Sequence, residues 1–218
     1  HNVRVGIVGG TGEIGEGMAM RLSRIMDVCV GSRDPGKAQE TCDTCLISAK
    51  ERGIDCSVRS GNNQDVVRES DVIILAIPFK HLKSTVEGIS GWEGKIVISP
   101  VNPMERRECF VYTPPAEGSA ALFLQNILPK TTRICTAFNN IAGNRWRDIS
   151  SELEYSVPVC GDDAEAKQIV MDLVNQISSL KAYDAGPLSS SHIVESITPL
   201  LLNIARFNKM KDVGIRFV

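Results

Sequence analysis

The chain has 218 residues, a formal charge of -2, 43% hydrophobic and 23% charged residues. That length suits one large α/β domain or a domain with a smaller appendage, and the composition supports a core and excludes disorder. The charge lacks the basic excess of a nucleic-acid binder, and no run approaches the ~18 uninterrupted apolar residues of a membrane span.

Val5-Gly6-Ile7-Val8 reads as a short buried strand, so the chain is expected to start on folded structure with no signal peptide. Gly9 to Gly15 follow as a glycine-rich turn, and a helical pattern runs from Glu16 to Ile25. Gly10, Gly12 and Gly15 match the spacing G-x-G-x-x-G. In a dinucleotide site the first glycine permits a tight turn, the second admits a pyrophosphate, and the third lets helix pack close to strand. The helix start then offers unpaired N–H groups and partial positive charge to the phosphates. The spacing alone is weak, but here it follows a strand and opens a helix, the context the motif requires.

Val28 to Gly31 is a second strand, and Lys37 to Arg52 a helix stopped by Gly53. Cys56 to Arg59 is a third strand, and Asn63-Gln64-Asp65 cap a short helix to Glu69. Val72 to Pro78 is a continuous apolar run rich in β-branched residues, as in a central parallel strand buried on both faces. Lys95 to Pro100 is the next strand. Asn102 to Ser119, rich in Pro, Arg and Glu, is expected to be a surface loop. A helix from Ser119 to Leu128 and a strand from Arg133 to Phe138 follow. Val157 to Gly161 is predicted to be an edge strand because of Pro158. Asp162-Asp163 cap a helix to Ser179, and Lys181 to Asp184 form a short last strand. The final helix spans Ser190 to Asn208, with Ile193, Ile197, Leu200, Leu201 and Ile204 on one face. Pro199 should kink or split it. Alternating strands and helices predict a doubly wound (Rossmann) α/β fold with a parallel sheet. Residues 2–150 form the dinucleotide domain, and 151–218 a smaller C-terminal extension that completes the substrate cleft.

Seven scattered cysteines, an odd number, suit free thiols in a reducing cytoplasm. Cys29, Cys135 and Cys160 lie in apolar runs, where the thiol acts as a small hydrophobe. Cys42 and Cys45 have C-x-x-C spacing without a second pair or a nearby histidine, so no metal is expected there.

The end of the second strand meets the adenosine ribose, where a carboxylate selects NAD and an arginine accommodates the 2′-phosphate of NADP. Gly31-Ser32-Arg33 stand at that place, with Lys37 adding a second positive charge. Ser32 donates a hydroxyl, and Arg33 can bind a pair of phosphate oxygens. Asp34 lies two residues past the serine and does not restore NAD. A charge-assisted contact is worth about 1.5–3 kcal/mol, roughly a ten- to hundredfold preference for NADP.

The combination V-G-G-T-G-E-I-G, V-G-S-R, A-I-P-F-K-H, T-A-F-N-N-I, V-C-G-D-D, D-A-G-P-L-S and V-E-S-I-T-P-L-L-L-N-I resembles the archaeal NADPH-dependent reductases of coenzyme F-420, an 8-hydroxy-5-deazaflavin. A weaker resemblance, through A-F-N and C-G-D, is to the cytosolic module of membrane ferric reductases. The closer resemblance implies direct hydride transfer between nicotinamide C4 and deazaflavin C5, with the deazaflavin stacked on the nicotinamide. It carries phosphate-turn roles to Gly10, Thr11, Gly12, Glu13 and Ile14, and 2′-phosphate roles to Ser32, Arg33 and Lys37. Ala76, Ile77, Pro78 and the residues to His81 should run along the nicotinamide half, with Asn102 and Gly143 at matching positions. Asn140, Ile141 and Asn144 fall where the deazaflavin binds. Some relatives carry His-Thr where this chain has Asn139-Asn140, which leaves the polar contact there open.

Ring-to-ring hydride transfer needs close stacking and exclusion of water, and no nucleophile. A donor to the reduced ring would help; His81 and the Asn140 to Asn144 segment are the candidates, with a structural role for His81 equally open. His192 reads as structural. Glu195 and Asn203 receive no assignment. The apolar last helix and the resemblance imply a homodimer. Two other readings compete: an NADPH-linked reductase of flavin, imine or ferric substrates, and a non-enzymatic NADP-sensing module.

Overall fold

The apolar runs become strands whose side chains divide between the two faces of one sheet. The computed structural model describes residues 3–218, so the expected domain start at residue 2 lies outside the described residues. The strands are β1 (Arg4–Val8), β2 (Asp27–Ser32), β3 (Val58–Asn62), β4 (Val72–Leu75), β5 (Ile96–Ser99), β6 (Met104–Arg106), β7 (Phe110–Tyr112), β8 (Arg133–Thr136), β9 (Ser156–Gly161) and β10 (Lys181–Asp184). The helices are α1 (Glu13–Leu22), α2 (Pro35–Glu51), α3 (Asn63–Glu69), α4 (Leu82–Glu87), α5 (Ala120–Ile127), α6 (Gly143–Arg147), α7 (Ala164–Gln176), α8 (Ser191–Glu195) and α9 (Ile197–Phe207).

Eight strands form one sheet in the order β10-β9-β8-β5-β4-β1-β2-β3. All neighbours are parallel except β8 and β9. The period-2 alternation of a strand sends Val5, Ile7, Val72 and Ile74 to one face, with α1, α2 and α7. Val8, Ile73 and Leu75 point to the other, with α3, α4 and α5. The doubly wound expectation holds. The first core layer runs from Val5 to Ala182, so β9 and β10 extend the same sheet.

Two expectations need correction. The predicted surface loop 102–119 contains the antiparallel hairpin β6–β7. Phe110-Val111-Tyr112 suits a strand, and partners more than 80 residues away hold it. Asn203 accepts the Phe110 N–H (2.7 Å) and donates to its carbonyl (2.9 Å), and Tyr112 donates to Glu195 (2.8 Å). The strand bearing Pro158 is interior, and β10 is the edge. Proline is tolerated because the residues facing β10 are Tyr155 and Val159, which accept from Lys181 and Ala185. Pro158 faces the β8 side, where the ladder covers only Cys160 and Gly161.

The last helix splits, as its internal proline requires, with Ser196 between α8 and α9. Pro199 cannot donate to the Glu195 carbonyl four residues back, and its ring would crowd that oxygen. The apolar face is unevenly covered: Leu201 is buried, whereas Ile193, Leu200 and Phe207 are 59%, 53% and 65% exposed.

Candidate functional site

The carboxyl ends of β1 and β4 form the point where successive crossovers leave in opposite directions, the place where open α/β sheets bind ligands. The glycine turn sits there, and each glycine answers a different constraint. The left-handed residue is Gly9 (φ +75°), where a Cβ would meet the Ile77 Cγ2 at 2.4 Å and the Ala76 carbonyl at 2.7 Å. Gly10, the residue expected to make the turn, is held by sterics: its Cβ would lie 2.6 Å from the Val30 side chain. Its N–H donates to the Gly31 carbonyl (2.9 Å). Gly15 brings α1 onto the turn, and a Cβ there would stand 2.5 Å from the Gly9 oxygen. Gly12 differs, since its nearest neighbour would be 3.7 Å away. The main chain at Gly12 is thus open to a ligand.

Gly12 caps α1 without a side-chain bond, which leaves the first N–H groups of the helix free for an anion. The two acids of that turn are drawn elsewhere. Glu13 packs on Gly143, its Cγ 2.7 Å from where a Cβ would stand, and Glu16 pairs with Arg147 at 3.2 Å. At the end of β2 the Thr11 and Ser32 hydroxyls lie 3.5 Å apart, and Ser32 accepts the Asp34 N–H (3.1 Å). Asp34 caps α2 by accepting from Gly36 (2.9 Å), so its carboxylate has a structural task. Arg33 and Lys37 are exposed and lack an ion-pair partner among the described residues. Open backbone, two hydroxyls and two uncommitted cations along one edge fit the phosphates of NADP.

The loop after β4 packs beside the glycine turn, with Ala76 and Ile77 against Gly9. Ala76 donates to the Val8 carbonyl (3.0 Å), and Ala76 and Ile77 are half-buried, with Pro78 exposed. A short 3-10 turn, Phe79–His81, follows, pinned by Phe79 edge-on to Phe123 at 5.3 Å between ring centres. His81 is exposed. Ile14, at the start of α1, exposes 39% of its surface beside the turn.

Beyond β5 and β8 three asparagines interlock. Asn102 donates to the Asn139 carbonyl (2.8 Å), and Thr198 of α9 donates to the same oxygen. The Asn139 amide reaches the Val101 carbonyl (3.3 Å), and the Asn140 amide the Ser156 carbonyl (2.9 Å). The Oδ1 atoms of Asn102, Asn139 and Asn140 are buried without a partner, an acceptor set that unmade hydrogen bonds leave costly. Phe138, just before them, has a left-handed φ of 66°, a conformation that persists in a non-glycine residue only when its surroundings hold it there. Ile141 is buried, and Asn144 donates to Asp212 of the C-terminal tail (2.6 Å). Sequence reasoning brought Asn140, Ile141 and Asn144 to this end of the sheet; in the fold all three side chains engage the protein itself. A cavity of ≈ 200 Å³ opens beside them between α6 and α9, bounded by Asn144, Arg145, Tyr155, Leu202 and Asp212.

Glu195 was legible only in the fold. Fully buried, it accepts from Tyr112 and from the N–H groups of Ala120 (2.9 Å) and Ala121 (3.1 Å). Burial pushes its carboxyl up, against the pull of those donors. Burial and the neighbouring carboxylate raise the Tyr112 phenol. His192 stays on the surface, its ring 3.0 Å from the Ser189 carbonyl. Among the described residues no cluster of ligating side chains could hold a metal, and Cys42 and Cys45 are buried free thiols.

The model of the family described as NADP oxidoreductase coenzyme F420-dependent matches residues 4–103, from β1 to Asn102 and Pro103. The F420-dependent NADP reductase of Methanocaldococcus jannaschii is 36% identical over 219 residues, covering 98% of this chain and 97% of the relative. The chain belongs to the F420-dependent NADP reductase family. A second member, from Methanothermobacter marburgensis, is 29% identical and covers 98% and 97% of the two chains. The likeness therefore extends past the dinucleotide half, through the hairpin and the terminal helices. A solved structure from Arthrobacter superposes over the whole of both chains with a TM-score of 0.79 at 18% identity, which shows the shared fold.

Proposed function

We infer that the protein is an oxidoreductase that transfers hydride between NADP(H) and the deazaflavin coenzyme F-420. The observation that carries this is the end-to-end match to the family, and Ser32 at the end of β2 with the exposed cations Arg33 and Lys37 beyond it supports NADP. The main chain of Gly10, Thr11, Gly12, Glu13 and Ile14 takes the pyrophosphate. Ser32, Arg33 and Lys37 take the 2′-phosphate. Ala76, Ile77, Pro78, His81, Asn102 and Gly143 line the nicotinamide half, and the turn from Asn140 to Asn144 meets the deazaflavin. Residues 151–218 act as a subdomain that extends the sheet and supplies α8 and α9 to the second wall.

The nicotinamide and deazaflavin rings supply the redox chemistry when bound. The chain contributes binding, orientation and shielding from water. Reacting carbons must come within ~3–3.5 Å face to face, which calls for rigid walls rather than a nucleophile. Ile14 offers an apolar surface beside the turn.

The protein works as a cytoplasmic homodimer. No helix among the described residues is long and apolar enough to cross a membrane. Ile193, Leu200 and Phe207 recur every seven residues along α8 and α9 and stand more than half exposed, a stripe that a second copy can cover. The deciding experiment mixes protein, NADPH and oxidised deazaflavin anaerobically and follows the deazaflavin absorbance. Bleaching with one NADPH consumed per deazaflavin supports the reading. NADPH binding without turnover rejects it, and reduction of flavin or ferric complexes in its place assigns another acceptor.

A further inference from the structure

At five residues, α6 is too short to sustain a helix by itself, yet it begins at Gly143 and Asn144, on the rim of the cleft. Its position is set by α1, the helix that opens at the glycine turn. Near the start of both helices, Glu13 packs on Gly143. One turn on, Glu16 pairs with Arg147. In the middle, Gly17 leaves no room for a side chain: a Cβ there would meet the Trp146 Cβ at 2.4 Å and the Arg147 nitrogen at 2.9 Å. Trp146 is fully buried and stacks edge-on against Phe138, the left-handed residue at the end of β8.

The far end is closed by Arg21, in the last turn of α1. Its Nε donates to the Trp146 carbonyl (2.8 Å). Its Nη2 lies within hydrogen-bond reach of the carbonyls of Arg145 (3.0 Å), Asp148 (2.6 Å) and Ser151 (2.9 Å). The Arg145, Trp146 and Ser151 oxygens are ones that a helix end and the loop after it leave without a main-chain partner, and the Asp148 oxygen also accepts the Ser151 N–H (3.1 Å). A planar guanidinium can address several of them at fixed angles; a lysine ammonium is a single point with no such fork.

We propose that Arg21 is a positioning residue for hydride transfer, fixing α6 in register on α1. It thereby sets the spacing between the pyrophosphate turn at one helix start and the 139–144 turn at the other. The proposal rests on the reading that the latter turn meets the deazaflavin. Arg21 touches neither reactant. Its effect on rate comes from geometry, since a displacement of about 1 Å can cost about a hundredfold.

The test compares wild type with Arg21→Lys and Arg21→Met at a temperature where all three are folded. NADPH affinity is read by fluorescence titration, turnover from deazaflavin absorbance, and amide exchange across residues 143–151 by mass spectrometry. The expected result is NADPH affinity within about twofold of wild type, kcat lower by about tenfold to a hundredfold, a raised KM for deazaflavin, and faster exchange at 143–151. Arg21→Ala should regain part of its kcat on addition of ethylguanidine. Unchanged kcat and KM in folded variants, with faster exchange, overturn the proposal and leave Arg21 a helix cap. Unchanged exchange overturns it as well, as does equal loss of NADPH affinity and turnover. If wild type itself reduces no deazaflavin, the functional reading fails separately. The role in hydride transfer then falls with it, and faster exchange at 143–151 in the variants shows Arg21 only as a helix cap.

Discussion

Arg33 and Lys37 stand free at the end of β2, while the neighbouring Asp34 is spent on capping α2. Charge-assisted bonds to a phosphate are worth about 1.5–3 kcal/mol. Arg33→Ala should therefore raise KM for NADPH by roughly ten- to a hundredfold and leave NADH much less affected; equal rises for both cofactors would refute the assignment. The cysteines make the opposite case, of side chains with no chemistry to perform. Burial pushes the Cys29 thiol up to about 11, and those of Cys45 and Cys135 up to about 12. A thiol raised this far stays in the unreactive S–H form under mildly alkaline conditions. Native protein at about pH 8, near the ordinary thiol value, should thus resist iodoacetamide at these three positions. Reaction there only on denaturation is what peptide mapping would read.

At the scale of elements, α9 holds the hairpin through Asn203, and α8 braces the hairpin and the start of α5 through one buried carboxylate, Glu195. Because the folded state holds the Glu195 proton more tightly than the unfolded chain, whose glutamate titrates near 4.5, that contribution to stability is fully present below 4.5. It is lost as pH rises through the folded value. Glu195→Gln should flatten the stability curve just above pH 4.5, while exposing a mismatch at the Tyr112, Ala120 and Ala121 donors that lowers Tm throughout. Thermal melts of both proteins from about pH 4 to about pH 7 would show it, and parallel curves would contradict it. This bracing was invisible in the sequence for a physical reason. The partners of Glu195 lie more than 70 residues away, and helical periodicity gives no means of pairing a lone acid with main-chain donors at that distance. The hairpin was missed likewise, since three-residue strands held by Asn203 carry little local signal. The local patterns were readable wherever the determinant was local, as with the glycine turn and the Asp163 cap on α7.

For the whole molecule, the exposed stripe on α8 and α9 is the surface on which the proposed dimer is tested. Leu200→Glu combined with Phe207→Glu places two like charges where a second copy would pack. The variant should sediment as a monomer where wild type sediments as a dimer. A wild-type monomer would remove the dimer from the proposal.

Periodicity and β-branched runs in the sequence alone determined the parallel sheet, because a strand buried on both faces must be apolar along its length. The glycine spacing and the Ser32-Arg33 stretch likewise carried the edge proposed to hold NADP, since those residues lie within about 30 positions of each other. Only the tertiary structure decided that Gly9 carries the left-handed turn, that Asn140 and Asn144 bond to the protein, and that Arg21 ties α6 to α1. Each depends on the approach of segments distant in the chain, and the glycine turn is anchored as much by Ile77 and Val30 as by its own spacing.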